Sequence, residues 1–99
     1  MAGAPGDLIQ VLQAVAQLLG SSQESPWASL SPRQILKVID AEIEHLKSRG
    51  KLKRREKLVS LFAPAGDIQE ISITSGWAER YVELCSQFDK ALAGSANAA

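Results

Sequence analysis

The strongest helix signals in the chain lie in residues 30–50, which read LSPRQILKVIDAEIEHLKSRG. Ser31 is a typical N-cap, Pro32 falls at the first helical position, and Gln34 stands where the second partner of a capping box is found. The apolar residues that follow recur every three or four positions and form one stripe: Ile35, Leu36, Ile39, Ile43 and Leu46, with Val38 beside them. A glycine that can stop a helix ends the stretch. The pattern predicts an amphipathic helix over residues 32–49.

Three other segments carry weaker helix signals and are predicted to be helical: residues 8–19, 52–62 and 75–92. Arg55 falls on the apolar face of the second of these, so either that helix begins later or Arg55 reaches outward along the edge of the core. Ser25-Pro26-Trp27 has the pattern of a helix start with room for a single turn before Leu30, and Trp27 is expected to fold back over the core. Because the connections are short and no credible sheet is present, we predict an all-α fold, a small helical bundle of four main helices.

A longer connector, residues 64–77, precedes the last predicted helix and has an ambiguous pattern. Residues 70–74 alternate apolar and polar side chains, as strands do, but the rest of the chain offers no strand to pair with. We therefore predict a short helical turn followed by an extended connector. A strand that pairs with the sheet edge of a partner is the alternative. Long connections are often functional, so the segment either covers the bundle as a lid or contacts a partner.

Length and composition indicate a single domain. The chain has 99 residues, eleven bases, eleven acids and one cysteine, which excludes an internal disulfide and argues against a globally basic nucleic-acid-binding protein. We predict one helical-bundle domain over residues 7–93, with flexible ends over residues 1–6 and 94–99. The first apolar segment has no basic flank and is interrupted by glutamines. We therefore expect neither a signal peptide nor a membrane span, and a reducing, cytoplasmic location.

The first predicted helix is unusual because no charged residue occurs from Leu8 to Gln23. A wide apolar arc on this helix lies opposite three glutamines: Gln10, Gln13 and Gln17. Such a helix is typical of an element that is contacted on more than one side. Two interpretations are open: a central core helix in a monomer, or the interface of a homodimer or of another partner through residues 8–19.

Residues that could support catalysis or bind a metal are few. His45 is the only histidine, so a two-histidine metal site cannot form within one chain, and we interpret it as a solvated side chain on a helix edge. Cys85 falls in the apolar arc of the last predicted helix, which is typical of an inert core thiol. Asp40 and Glu44 have the spacing of an ordinary solvated helix face, whereas Glu42 is expected to be partly buried. We predict no catalytic residue, no metal and no cofactor, and hence a protein that is not an enzyme.

The most unusual charge feature is the segment of residues 47–57, here called the basic corner. It contains seven of the eleven bases of the chain and one acid. These bases are Lys47, Arg49, Lys51, Lys53, Arg54, Arg55 and Lys57. They could pair with acids of the chain itself such as Asp40 and Glu44, bind an acidic protein, or bind nucleic acid or another anion. No aromatic residue is interleaved with them and few side chains could read base edges, so sequence-specific recognition is not expected.

These observations predict a non-catalytic, small helical protein-interaction module, either an adaptor or a regulatory subunit. The predicted partner-binding residues are Lys47, Arg49, Lys51, Lys53, Arg54, Lys57, Ile71 and Trp77. The first six belong to the basic corner and the last two to the connector. The expected partner is a protein with acidic residues. A homodimer would instead form through the first helix. The alternative is a sequence-nonspecific nucleic-acid or anion binder that uses the basic corner.

Overall fold

The computed structural model describes residues 5–98, and residues 6–94 with their side chains. It is all-α in this part of the chain, as predicted, but contains five helices rather than four. They are α1 (Pro5–Leu19), α2 (Pro32–Arg49), α3 (Arg55–Leu61), α4 (Asp67–Ser75) and α5 (Ala78–Ala98). None of these helices is long and apolar enough to cross a membrane.

Helix α2 has the boundaries that its sequence predicts. The backbone N–H of Gln34 donates to Ser31 Oγ at 3.2 Å, and the backbone N–H of Ser31 donates to Gln34 Oε1 at 2.9 Å, which completes the capping box. At the other end Gly50 adopts a left-handed conformation with φ 73°, and its N–H donates to the carbonyl of Leu46. A glycine has no Cβ to oppose this conformation, so the helix ends there without strain.

Helix α1 lies between α2 and α5 and packs against both. Its apolar arc contributes five side chains to the core: Leu8, Val11, Leu12, Val15 and Leu19. The three glutamines of this helix face solvent. Helices of the same chain thus cover the wide apolar arc, as expected of a central core helix, and the homodimer through residues 8–19 stays a prediction.

Helix α4 corrects the prediction for the connector. Residues 67–75 form nine residues of helix instead of a short turn and an extended segment. Ile68 and Ile71, three positions apart, are both fully buried, whereas Ile73 is 55% exposed. The alternation that resembled a strand therefore results from one buried and one exposed isoleucine on a helix. The strand alternative is wrong.

The start of the last helix is also corrected, from residue 75 to Ala78. Ser75 ends α4, and Gly76 follows it with φ 85°. The N–H of Trp77 donates to the carbonyl of Ser72 at 2.8 Å, and the N–H of Gly76 donates to that of Ile73 at 3.4 Å. This pair of bonds is a Schellman motif, which ends α4 at the position where the last helix was predicted to begin.

The expected flexible ends are described only in part. Pro5 and Gly6 belong to the first turn of α1, which therefore begins three residues before the predicted start at Leu8. At the other end α5 continues past the predicted limit at Leu92 and includes residues 94–98. Residues 1–4 and Ala99 lie outside the described part of the chain.

Candidate functional site

The basic corner joins the end of α2 to the start of α3, and its seven basic side chains are all exposed. Helix α3 begins at Arg55, three residues later than the predicted start at Leu52. Arg55 itself is exposed. Of the two explanations for a base on the predicted apolar face, the later helix start is therefore the one that the structure shows. Residues 51–54 form an irregular turn, and two side chains of α2 hold this turn in place.

Glu42 is the first of these two side chains. Its residue is only 2% exposed, and its carboxylate accepts the backbone N–H groups of Lys53 and Arg54, both at 2.8 Å. Hydrogen bonds to a charged acceptor are stronger than neutral ones, and here they satisfy N–H groups that approach a helix start. Arg54, the N-cap residue of α3, makes no side-chain cap of its own. The sequence predicted that Glu42 would be partly buried, but not that it would supply this cap.

His45 is the second side chain that holds the turn. Its Nδ1 lies 2.7 Å from the carbonyl oxygen of Lys51. Because a carbonyl only accepts, Nδ1 carries the proton and donates. The residue is half-buried rather than freely solvated. Glu42 and His45, three positions apart on α2, therefore contact both ends of the turn that carries the bases.

No basic side chain of the corner forms an ion pair in the described part of the chain. The one ion pair found there joins Arg80 to Glu83 at 3.5 Å, on α5. Asp40 and Glu44 line the same shallow groove beside α1 as Lys47, but neither carboxylate comes within 4.0 Å of it. The predicted pairing of the corner with these acids is therefore not observed. Seven bases without ion pairs, on the end of α2, the turn and the start of α3, create a positive surface potential.

The other two predicted partner-binding residues lie elsewhere. Ile71 is fully buried in the core and offers no surface to a partner. Trp77 is half-buried; its Nε1–H donates to Ser22 Oγ at 2.8 Å and its ring packs edge-on against Tyr81. Both belong to the region around α4, which contacts the loop before α2. The 18 residues of α2, roughly 27 Å of helix, connect this loop to the turn of the basic corner.

A second exposed feature is the segment of residues 20–31, here called the tryptophan loop. The sequence did not predict that its tryptophan would be exposed. Trp27 is 79% exposed instead of covering the core, so the predicted plug is wrong. The loop is nevertheless well anchored. Asp67 accepts the backbone N–H groups of Ser29 and Leu30 at 2.9 and 3.0 Å, and Ser75 Oγ accepts the N–H of Gln23 at 2.8 Å.

A third feature is a groove between α4 and α5, here called the α4–α5 groove, with a cavity volume of about 420 Å³. Cys85 lines it and is half-buried rather than enclosed in the core. Its Sγ donates to the carbonyl of Phe62 at 3.4 Å, and the hydroxyl of Tyr81 donates to the same oxygen at 3.0 Å. Burial raises the pKa of Tyr81 above its ordinary range, so this hydroxyl keeps its proton and remains a donor.

Neither metal chemistry nor a relative assigns a role to these features. Within the described residues no three His, Cys, Asp or Glu side chains lie together as a metal ion would require. Comparison of the chain with protein-family models, with curated proteins and with solved structures finds no match. The role of this protein must therefore be inferred from the geometry of the basic corner, the tryptophan loop and the α4–α5 groove.

Proposed function

We propose that this protein is a non-catalytic interaction module that binds an acidic partner protein through the basic corner. One observation carries the proposal: the corner exposes seven bases on both sides of a turn that Glu42 and His45 hold in place, and none of these basic side chains forms an ion pair within 4.0 Å with an acid of the described part of the chain. Charge that is not compensated within the chain is available to a partner. It would raise the association rate and exclude basic partners.

The anchored turn supports this function because it reduces the cost of binding. A flexible basic segment loses conformational entropy when a partner orders it, and this loss weakens binding. Here the backbone of Lys51, Lys53 and Arg54 is already bonded to side chains of α2. Only the exposed side chains remain to be ordered when a partner binds.

The surroundings of the corner favour an acidic protein over a nucleic acid. Asp40 and Glu44 are exposed on α2 beside the corner, so a long polyanion that extends past the corner along this helix would meet acids. The exposed tryptophan, Trp27, lies in the loop before α2, whereas the turn of the corner follows α2. Because α2 is roughly 27 Å long, Trp27 is not placed to stack on a base held at this turn. A compact acidic surface fits seven bases without reaching these acids.

The test is a triple charge reversal of Lys53, Arg54 and Lys57 to Glu. The matched control reverses three exposed bases outside the corner: Arg33, Lys37 and Lys90. Both variants change the net charge equally. The probe is a fluorescein-labelled oligoglutamate peptide, and binding is followed by anisotropy while circular dichroism monitors folding.

We expect the corner variant to keep its helical spectrum and to lose at least about tenfold in affinity, with the control close to the wild type. Equal losses in both variants would show that only net charge matters and would contradict the proposal. Duplex DNA that binds more tightly than oligoglutamate, with an affinity that falls steeply with salt, would instead favour the anion-binding alternative.

A further inference from the structure

We infer that the α4–α5 groove is a second docking site, independent of the basic corner, and that it binds an amphipathic helix of a partner protein with a Lys or Arg facing Asp89. The first observation is exposed apolar surface. Ile73 on α4 and Val82 on α5 are 55% and 68% exposed, and both line this groove from opposite walls. Large apolar side chains brought together at the surface typically mark an interaction site.

The polar groups on the floor of the groove already have hydrogen-bond partners. The ring of Phe62 stacks on that of Phe88 with centroids 4.0 Å apart, and its carbonyl accepts from Tyr81 and Cys85. Ser72 donates to the carbonyl of Gln69 at 2.6 Å. No buried side-chain polar atom of the described residues lacks a partner. A polar small molecule would find few free groups to bond, whereas apolar side chains need none.

The shape of the groove fits a helix. Its lining residues on α5 run from Ala78 to Asp89, which at 1.5 Å per residue is roughly 16 Å, or three helical turns. A helix of about this length presents three or four apolar side chains on one face, at the spacing that grooves between helices receive. Ile73 and Val82 would lie on either side of that apolar face.

Charge defines the partner further. Asp89 is exposed and is the one charged side chain that lines the groove, and no base of the described residues pairs with it. Residues 58–99 contain five acids and two bases, a net charge of −3. Two copies of the chain that met through this face would bring like charges together. A helix from another protein, apolar on one face and basic at the position opposite Asp89, complements the groove in both respects.

The test uses two fluorescein-labelled, hydrocarbon-stapled peptides of about twelve residues, roughly 18 Å as a helix. Both carry the same apolar stripe, and they differ only in a Lys or a Glu at the position that faces Asp89. We expect the Lys peptide to bind several-fold more tightly than the Glu peptide, a preference that Asp89→Lys reverses. I73D and V82D should each weaken binding at least about tenfold, because a carboxylate would be buried against apolar side chains.

The matched control is V59D, which places the same charge at an apolar residue that is 39% exposed on α3 and does not line the groove. This variant should bind both peptides as the wild type does. Absence of binding by either peptide, or an equal loss in V59D, would overturn the inference. So would sedimentation of a dimer that V82D dissociates, because the occupant would then be a second copy. None of these outcomes bears on oligoglutamate binding at the basic corner.

Discussion

The basic corner and the tryptophan loop are built in the same way and present opposite chemistry. In each, one carboxylate accepts two successive backbone N–H groups just before a helix begins: Glu42 for residues 53 and 54, and Asp67 for residues 29 and 30. One connection then exposes a group of bases, and the other exposes Trp27. An anchored backbone thus leaves the side chains of a connection free for contacts with other molecules.

The two anchoring carboxylates differ in how far along the sequence they lie from the N–H groups that they bind. Glu42 lies 11 and 12 residues before the groups that it binds, whereas Asp67 lies 37 and 38 residues after its own. The first anchor is therefore local to one helix–turn–helix unit. The second exists only once α4 packs beside the loop, so its strength depends on the tertiary fold. Four substitutions test this difference.

The largest effect is expected for Glu42→Ala. It would leave the N–H groups of Lys53 and Arg54 without their charged acceptor and lower the free energy of unfolding by about 3 kcal/mol. Urea denaturation followed by circular dichroism measures this loss. The control is Glu44→Ala, an exposed acid on the same helix, which should change stability by less than about 0.5 kcal/mol. Similar values for the two variants would show that the corner is not anchored through Glu42.

A smaller loss, about 2 kcal/mol, is expected for Asp67→Ala, because this carboxylate is half-buried and water can replace part of its role. Limited proteolysis should also cut the tryptophan loop sooner. Glu70→Ala is the control, since Glu70 is the other acid in the first turn of α4 and interacts with the helix dipole. It should cost less than about 1 kcal/mol. A loop that resists proteolysis in D67A would mean that other contacts hold it.

His45→Ala should cost about 1 kcal/mol, since it removes one hydrogen bond to the turn. Its more informative effect is on binding. If the anchored turn organises the bases, this variant should bind oligoglutamate a few-fold more weakly although every base is still present. An unchanged affinity with reduced stability would show that binding depends only on the number of bases. The anchored turn would then play no part in binding.

The smallest effect on stability is expected for Trp27→Ala, within about 0.5 kcal/mol, because the side chain is largely in solvent. Trp77→Ala is the comparison, since its indole donates to Ser22 and packs on Tyr81, and it should cost at least about 1 kcal/mol. A clear loss of stability in W27A would place Trp27 in the core after all. Retained stability would leave its exposed ring available for contacts.

The sequence could predict elements whose signals are local. The capping box, the stop at Gly50 and the apolar stripe of α2 all lie within the helix that they define, and the density of bases at the corner is visible by counting. Helix α4 was missed because nine residues with alternating isoleucines satisfy the strand pattern as well as the helical one. Only burial distinguishes Ile71 from Ile73, and burial depends on which helix lies beside them.

The all-α class, the wide apolar arc of α1 and the partial burial of Glu42 follow from periodicity and composition, because these properties depend on neighbours within a few turns of the same helix. The roles of Glu42 and His45 in holding the corner, the exposure of Trp27 and the α4–α5 groove depend on residues that become neighbours only when the helices pack. A carboxylate bonds to whichever N–H groups the fold places within about 3 Å of it. That distance between chain segments is a property of the tertiary structure alone.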